Sequence, residues 1–294
     1  MRRAPRALVR TAALALAACL AAGPAAAAIS LTDDLGRRVE LASPAQRIVT
    51  LAPSITEAAF AIGAGDRVVG VSAYSDFPPQ ASGLPVVSSA TGIDFEALAR
   101  LSPDLVIAWK DSFRPDDVAR LEALGAKVYV ARTRKLADIV PLLAVTAALA
   151  GADAGPATRA YESRLAQLRA RYAGRTKLAV FLPISERPLM TVAGAHFMNE
   201  ALAACGATNV FADLPDVAPL VSLEELYARN PQAIVGAGSR ESAARFLKSW
   251  SERESLEAVR QGKVAYVESM ALGRPSPRVV EGIEALCLAL DRLR

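Results

Sequence analysis

Short, nearly continuous apolar runs alternate with amphipathic stretches along most of the chain. Arg47–Ala52, Arg67–Ser72, Asp104–Trp109 and Lys127–Arg132 are such runs, rich in Val, Ile and Leu. That pattern predicts parallel strands buried on both faces. Asp33–Leu41 reads as a turn and a short strand. Helices are expected after Pro53, after Asp94 and near Asp116–Leu124. In the first, Ser54 and Glu57 have capping-box spacing, Ile55, Ala59 and Ile62 form an apolar face, and Gly63 and Gly65 end the pattern.

From Leu136 to Tyr172 the strand signal vanishes. "LADIVPLLAVTAALA" is helical, and "ATRAYESRLAQLRARYAG" is a longer amphipathic helix with Leu165, Leu168 and Tyr172 on one face. Pro156 suits its first turn and Gly174 its end. Alternation then resumes, with strands expected at Lys177–Ile184, Leu189–Gly194, Ala233–Gly238 and Lys263–Glu268. Helices are expected near Met198–Cys205, Leu223–Arg229, Ala243–Trp250 and Pro277–Leu293, the last capped by Ser276. The reading is an α/β fold with two α/β halves, 29–134 and 175–294, joined by a helical connection at 135–174.

The amino terminus does not fit that alternation. Met1–Arg10 carries four arginines and no acid, an uncharged Ala/Leu run follows, and small residues occupy Ala25–Ala28. This is the build of an export signal spanning residues 1–28. The apolar part is short for a membrane span, which needs about 20 residues. "LAAC" at Leu16–Cys19 offers an alternative lipoprotein-processing site that would anchor the chain at Cys19. The full chain carries a net charge of +4. Loss of the four leader arginines leaves a mature chain near neutrality, so the charge balance gives no reason to expect nucleic acid. Cys205 and Cys287 remain. An oxidising compartment favours a disulfide between them, and two buried free thiols are the alternative.

A repeat stands out once the halves are aligned. "IDFEALARLSPDLVI" at Ile93–Ile107 matches "VSLEELYARNPQAIV" at Val221–Val235. Glu96 aligns with Glu224, Leu98 with Leu226 and Pro103 with Pro231. An acid in a first helical turn is favoured by the helix dipole, by about 0.3–1 kcal/mol, and commonly needs no other explanation. Glu225 has capping-box spacing from Ser222, which leaves Glu224, like Glu96, without a local task. Equivalent acids on two halves suggest a bipartite contact.

Catalytic and cofactor signatures are missing. His196 is the sole histidine, and no Cys pair lies beside it to build a zinc site. "GAGDRVVG" at Gly63–Gly70 follows a helix, whereas a dinucleotide loop follows a strand. No G-x-S-x-G elbow is present. The expectation is no catalytic residue, no metal and no cofactor. Binding signals are better. Tyr74 lies just past a strand end, where α/β folds bind ligands, Trp109 ends another strand, and Arg274 lies in the connection before the last helix. Two aromatics facing an arginine would suit a flat, partly anionic ligand; ordinary edge-of-core aromatics and a solvated arginine are the plain alternative.

"RIVTLAPSITEAAFAIGAGDRVVGVSAYSDFPPQ", "LSPDLVIAW", "NPQAIV" and "SPRVV" resemble the corrinoid branch of the iron-siderophore/B12 family of ABC-importer solute-binding proteins. The resemblance runs from about Arg47 to the carboxyl terminus, and "YSDFPPQ" is its most specific part. It implies two Rossmann-like lobes joined by a single rigid backbone helix, a class III solute-binding fold. It implies a periplasmic monomer that holds a corrinoid between the lobes and delivers it to membrane permease subunits. Tyr74, Trp109 and the loop Met270, Ala271, Leu272, Gly273 and Arg274 match ligand-contacting positions. Glu96 and Glu224 match acids that dock on permease arginines, and Cys205 and Cys287 match disulfide cysteines. Ala90 and Ala218 stand where that branch has tryptophans, and Met270 where it has an acid. Haem or a ferric siderophore is thus an alternative ligand, and a periplasmic enzyme or a lipid-anchored sensor on this fold are rivals of another class.

Overall fold

A computed structural model describes residues 28–112 and 114–294. Residues 1–27 of the expected leader, with Cys19, lie outside the described residues. The chain starts with an antiparallel hairpin, β1 (Ile29–Thr32) and β2 (Arg38–Leu41). Asp33 closes the turn: its carboxylate accepts from the Leu35 and Arg37 amides at 3.0 and 2.9 Å. Then come β3 (Ile48–Thr50), α1 (Pro53–Ala61), β4 (Val68–Ser72), β5 (Val86–Ser89), β6 (Gly92–Ile93), α2 (Phe95–Leu101), β7 (Leu105–Trp109), α3 (Pro115–Ala123) and β8 (Lys127–Ala131). Six of these strands form one sheet in the order β6-β5-β4-β3-β7-β8, parallel except for β6.

Two helices follow, α4 (Ile139–Ala150) and α5 (Gly155–Tyr172). The second half holds β9 (Leu178–Phe181), β10 (Pro183–Glu186), β11 (Leu189–Thr191), α6 (Phe197–Ala204), β12 (Ala207–Asn209), α7 (Leu223–Arg229), β13 (Ala233–Ala237), α8 (Arg240–Ser251), α9 (Glu257–Arg260), β14 (Val264–Val267) and α10 (Val279–Leu293). Its parallel sheet has the order β12-β9-β13-β14. Both sheets reverse strand order, as doubly wound folds do.

One apolar cluster runs through both halves. It takes Ile48 and Ile107 from the first sheet, Leu143 and Leu165 from the connection, and Val235 and Leu286 from the second half. Helix α5 contributes Tyr161, Leu165, Leu168 and Tyr172, whose spacing puts them on one stripe. Each such side chain contributes about 1.5–3 kcal/mol when fully buried. The outer face of the second sheet has its own core, where Phe181 packs on Phe211 and Trp250 at centroid distances of 5.4 and 5.6 Å.

Several expectations are corrected. Helix α1 is capped by Ala52 with Pro53 in its first turn, so no Ser54–Glu57 capping box forms. Pro53 starts the helix a residue early, and Ser54 and Glu57 are both buried. Helix α10 starts at Val279 with Arg278 as its cap; the Ser276 hydroxyl donates to Glu57 and accepts from the Arg278 amide at 3.3 Å, ahead of the helix. The run Lys177–Ile184 divides, and Leu189–Thr191 joins its second part in a hairpin outside the main sheet. Strands β5, β6 and β12 escaped the sequence pattern because "VVSS", "GI" and "ATN" are too short or polar to show a period.

Cys205, after α6, is bonded to Cys287 in α10, with the Cα atoms 4.8 Å apart and a sequence separation of 82. A loop that long restricts the unfolded chain strongly. Replacing both cysteines by serine should cost about 2–5 kcal/mol of unfolding free energy. Denaturant titration of the double variant checks this, and an unchanged midpoint would contradict it.

Candidate ligand-binding cleft

The carboxyl ends of β3, β4 and β7 open into a recess of about 480 Å³. Pro53, Tyr74, Ala90, Thr91, Trp109 and Asp117 are among its walls. The position is the one where open α/β sheets bind ligands. Tyr74 and Trp109 are brought together as the sequence led one to expect. Tyr74 is 77% exposed. Trp109 is half-buried, and its indole N–H is buried without an acceptor among the described residues. Ala90, the small residue in place of an expected tryptophan, lies on this wall and leaves it open.

Tyr74 adopts φ 64°, in the left-handed region. For a bulky residue this costs about 1–2 kcal/mol and persists only where the surroundings over-determine it. A buried hydroxyl chain lies beneath: Thr56 contacts Thr50 at 2.7 Å and Ser75 at 3.0 Å, and Ser75 contacts Ser72 at 3.1 Å. The Ala73 amide donates to Ser88 O at 2.7 Å. From the other half, Arg274 donates to the carbonyl of Tyr74 itself at 2.9 Å.

Arg274 therefore does not point a free cation at a ligand. It is 7% exposed, and its guanidinium also binds Glu57 at 3.0 Å and Asp76 at 2.6 Å. Glu57 is the hub of this contact between halves. Its two oxygens accept from Arg274, from Ser276 Oγ at 2.5 Å, and from Arg278 at 2.7 and 3.2 Å. Arg278 also lies over the Phe77 ring, 3.9 Å from its centroid. Two acids and two arginines balance in charge. The Arg274 hydrogen bond holds the Asp76 carboxyl below the ordinary range. Burial opposes the Arg274 charge, but its bonds to Asp76 and Glu57 outweigh that and hold its pKa above the usual value.

The rest of the loop divides by burial. Met270 is 43% exposed and Gly273 is exposed, whereas Ala271 and Leu272 are core residues. Gly282 makes this packing feasible, since a Cβ there would stand 2.4 Å from Leu272 N. The side chains of Ala271 and Leu272 thus pack into the core, and none of the five residues lines the 480 Å³ recess. A second recess, about 550 Å³, lies in the other half between the β10–β11 hairpin, the ends of β13 and β14, and α8. Ile184, Glu186, Arg187, Arg245, Ser249 and Tyr266 line it. The sequence reading missed it, because its walls come from four elements with no shared motif. It also missed Glu57. An acid among Ala58, Ala59 and Phe60 is the signal that was there to find, since a carboxylate on an apolar helix face needs a partner.

The sequence profile of the periplasmic binding protein family matches residues 48–271. This chain belongs to that family. It is 35% identical over 249 residues to the Vitamin B12-binding protein of Vibrio cholerae serotype O1, covering 84% of this chain and 90% of the relative. Its fold matches the crystal structure of the periplasmic Vitamin B12 binding protein BtuF of Vibrio cholerae with TM-score 0.75 and 35% identity, over 85% of this chain and 98% of that one. A periplasmic heme binding protein from Pseudomonas aeruginosa is also similar, with TM-score 0.72 and 25% identity, over 83% of this chain and 92% of that one. The two-lobed class III architecture is thus shared.

In this periplasmic binding protein the repeat extends to local geometry. Asp94 Oδ1 caps α2 by accepting from the Ala97 amide at 2.9 Å, and Ser222 Oγ caps α7 by accepting from the Glu225 amide at 3.0 Å. Both helices end in a left-handed residue, Ser102 at φ 45° and Asn230 at φ 39°. Leu98 and Leu226 are buried alike. Glu225 pairs with Arg229 at 3.2 Å instead of completing a capping box. Glu96 does have a local partner, Arg100 at 2.7 Å, but in an exposed i,i+4 pair of little energetic weight. Glu224 is exposed with no ion pair among the described residues.

His196 serves as a helix cap. Its Nδ1 accepts from the Met198 amide at 3.2 Å, which places the proton of the neutral ring on Nε2, and the ring stacks on Phe197. Burial pushes its pKa down from 6.5 to about 4. Between those values the unfolded chain binds a proton that the folded chain refuses, so stability is full above pH 6.5 and falls as pH drops toward 4. Unfolding free energy should fall by about 2 kcal/mol from pH 7 to pH 5. Urea titrations at the two pH values check this. His196→Asn, which keeps a capping side chain, should remove most of the dependence.

Proposed function

We propose that this protein captures a corrinoid, cobalamin or cobinamide, between its lobes and presents it to the permease of an ABC importer. The observation that carries the reading is the 35% identity to a Vitamin B12-binding protein over 84% of the chain. The aromatic recess of Tyr74 and Trp109 at the strand ends supports it. A corrin is broad and flat and carries polar amides on its rim, so an aromatic wall in one lobe and a polar recess in the other suit it. In this reading the protein works as a periplasmic monomer after removal of residues 1–28, and catalyses no reaction. Haem or a ferric siderophore is the second reading, favoured by Ala90 and Ala218 in place of bulky aromatics.

Glu96 and Glu224 are proposed to dock on arginines of the permease, one from each lobe. Their exposure and matched helix positions support this.

Tyr74→Ala and Trp109→Ala should each weaken corrinoid binding about three- to tenfold, the value of an aromatic contact. Titration calorimetry with cobalamin, cobinamide, haemin and a ferric siderophore checks it. Absence of heat with both corrinoids would end the corrinoid reading, and a haemin or siderophore signal would install the second. Combining Glu96→Ala with Glu224→Ala should leave affinity unchanged and impair uptake in cells, since rim charges govern partner docking. Normal uptake by the double variant would remove the docking role.

A further inference from the structure

Arg274 stands at a ligand-contacting position in the family pattern, yet here its guanidinium is spent on the opposite lobe. It is buried against Glu57, and its remaining N–H groups reach Asp76 Oδ1 at 2.6 Å, Asp76 Oδ2 at 3.3 Å and Tyr74 O at 2.9 Å. The residue it grips by the carbonyl is the same one held at φ 64°, 77% exposed and lining the recess. These two facts belong together. A tyrosine in the left-handed region persists only where its surroundings over-determine it. The hydroxyl chain through Ser75 and Thr56 restrains the following residue from within the first lobe. Arg274 restrains the Tyr74 carbonyl from the second lobe.

We propose that Arg274 is a positioning residue. Through the Tyr74 carbonyl, and anchored by Glu57, it holds the Tyr74 ring in its ligand-facing pose, so that the junction of the lobes sets the shape of the recess. Arg278 takes part by closing the other side of Glu57 at 2.7 Å and by covering Phe77, which bounds the same loop. The set is suited to this task. A planar guanidinium can bind a carboxylate and a carbonyl at fixed angles at once, which an ammonium cannot. The loop thereby reports on the relation of the lobes: a shift of the 274–278 segment relative to α1 releases the Tyr74 peptide. The inference rests on the proposed role of Tyr74 in ligand binding for its consequence, but not for its mechanics.

The test has two arms. The first needs no ligand. In Arg274→Lys, which keeps the buried positive charge opposite Glu57 but loses the fork, amide hydrogen exchange between Ala73 and Phe77 should rise at least about tenfold, while β8 and β13 amides stay unchanged. Asp76→Asn, in which a half-exposed side chain loses its charge, should move the same amides in the same direction and guards against a folding defect in the first variant. Unchanged exchange in both variants would overturn the proposal. The second arm is a double-mutant cycle read by calorimetry with cobinamide and cyanocobalamin. Arg274→Lys should weaken binding about tenfold in the wild-type background and less than about twofold in the Tyr74→Ala background. Equal losses in both backgrounds would show that Arg274 touches the ligand directly and overturn the positioning role. If the wild-type protein binds neither corrinoid, the functional reading fails by itself, and the exchange arm still decides whether Arg274 holds the loop.

Discussion

A carboxylate that is 4% exposed sits where the two halves meet, and its neighbourhood explains much of the molecule. Burying one charge without partners costs several kcal/mol, so Glu57 exists in this position only because Arg274, Ser276 and Arg278 converge on it. Those partners lie 217 to 221 residues away in sequence. Helix α1, the Tyr74–Phe77 loop and the approach to α10 are therefore one mechanical unit. Ion pairs of this kind add little net stability over an apolar packing, but they are specific about geometry. Specificity of geometry is what holds the Tyr74–Phe77 loop in one pose.

The halves are also joined by apolar packing. A single core passes from the first sheet through α4 and α5 to α6 and α10, and the Cys205–Cys287 bond fastens the last two. Wide separation of the lobes would expose this core and strip Glu57 of its donors together. Small relative motion is the physical consequence. A loop such as 74–78, restrained from both sides, then becomes the place where a small shift has an effect.

The two recesses differ in character. The one in the first half is walled by an exposed tyrosine, a tryptophan and small residues, and the one in the second by Glu186, Arg187, Arg245, Ser249 and Tyr266. One departure from the corrinoid pattern bears on these walls: Ala90 widens the aromatic recess. Met270, 43% exposed, puts a thioether where an acid was expected but lines neither recess.

Local pattern was enough for much of this protein. The strands at Leu105–Trp109 and Ala233–Ala237 were legible because a parallel strand buried on both faces has to be apolar throughout. The stripe of α5 and the repeat carrying Glu96 and Glu224 were legible because helical period and helix caps are set within a few residues. Tyr74 and Trp109 were legible as neighbours at one recess because both lie at strand ends of the same sheet. Only the tertiary structure decided what Glu57, Ser276 and Arg274 do. From neighbours alone Glu57 looked like the far end of a capping box, Ser276 like a cap, and Arg274 like a free cation. Each assignment gave way to a contact across the lobes, because a buried charge takes the partner that the fold brings to it, and no local period encodes a neighbour more than 200 residues away.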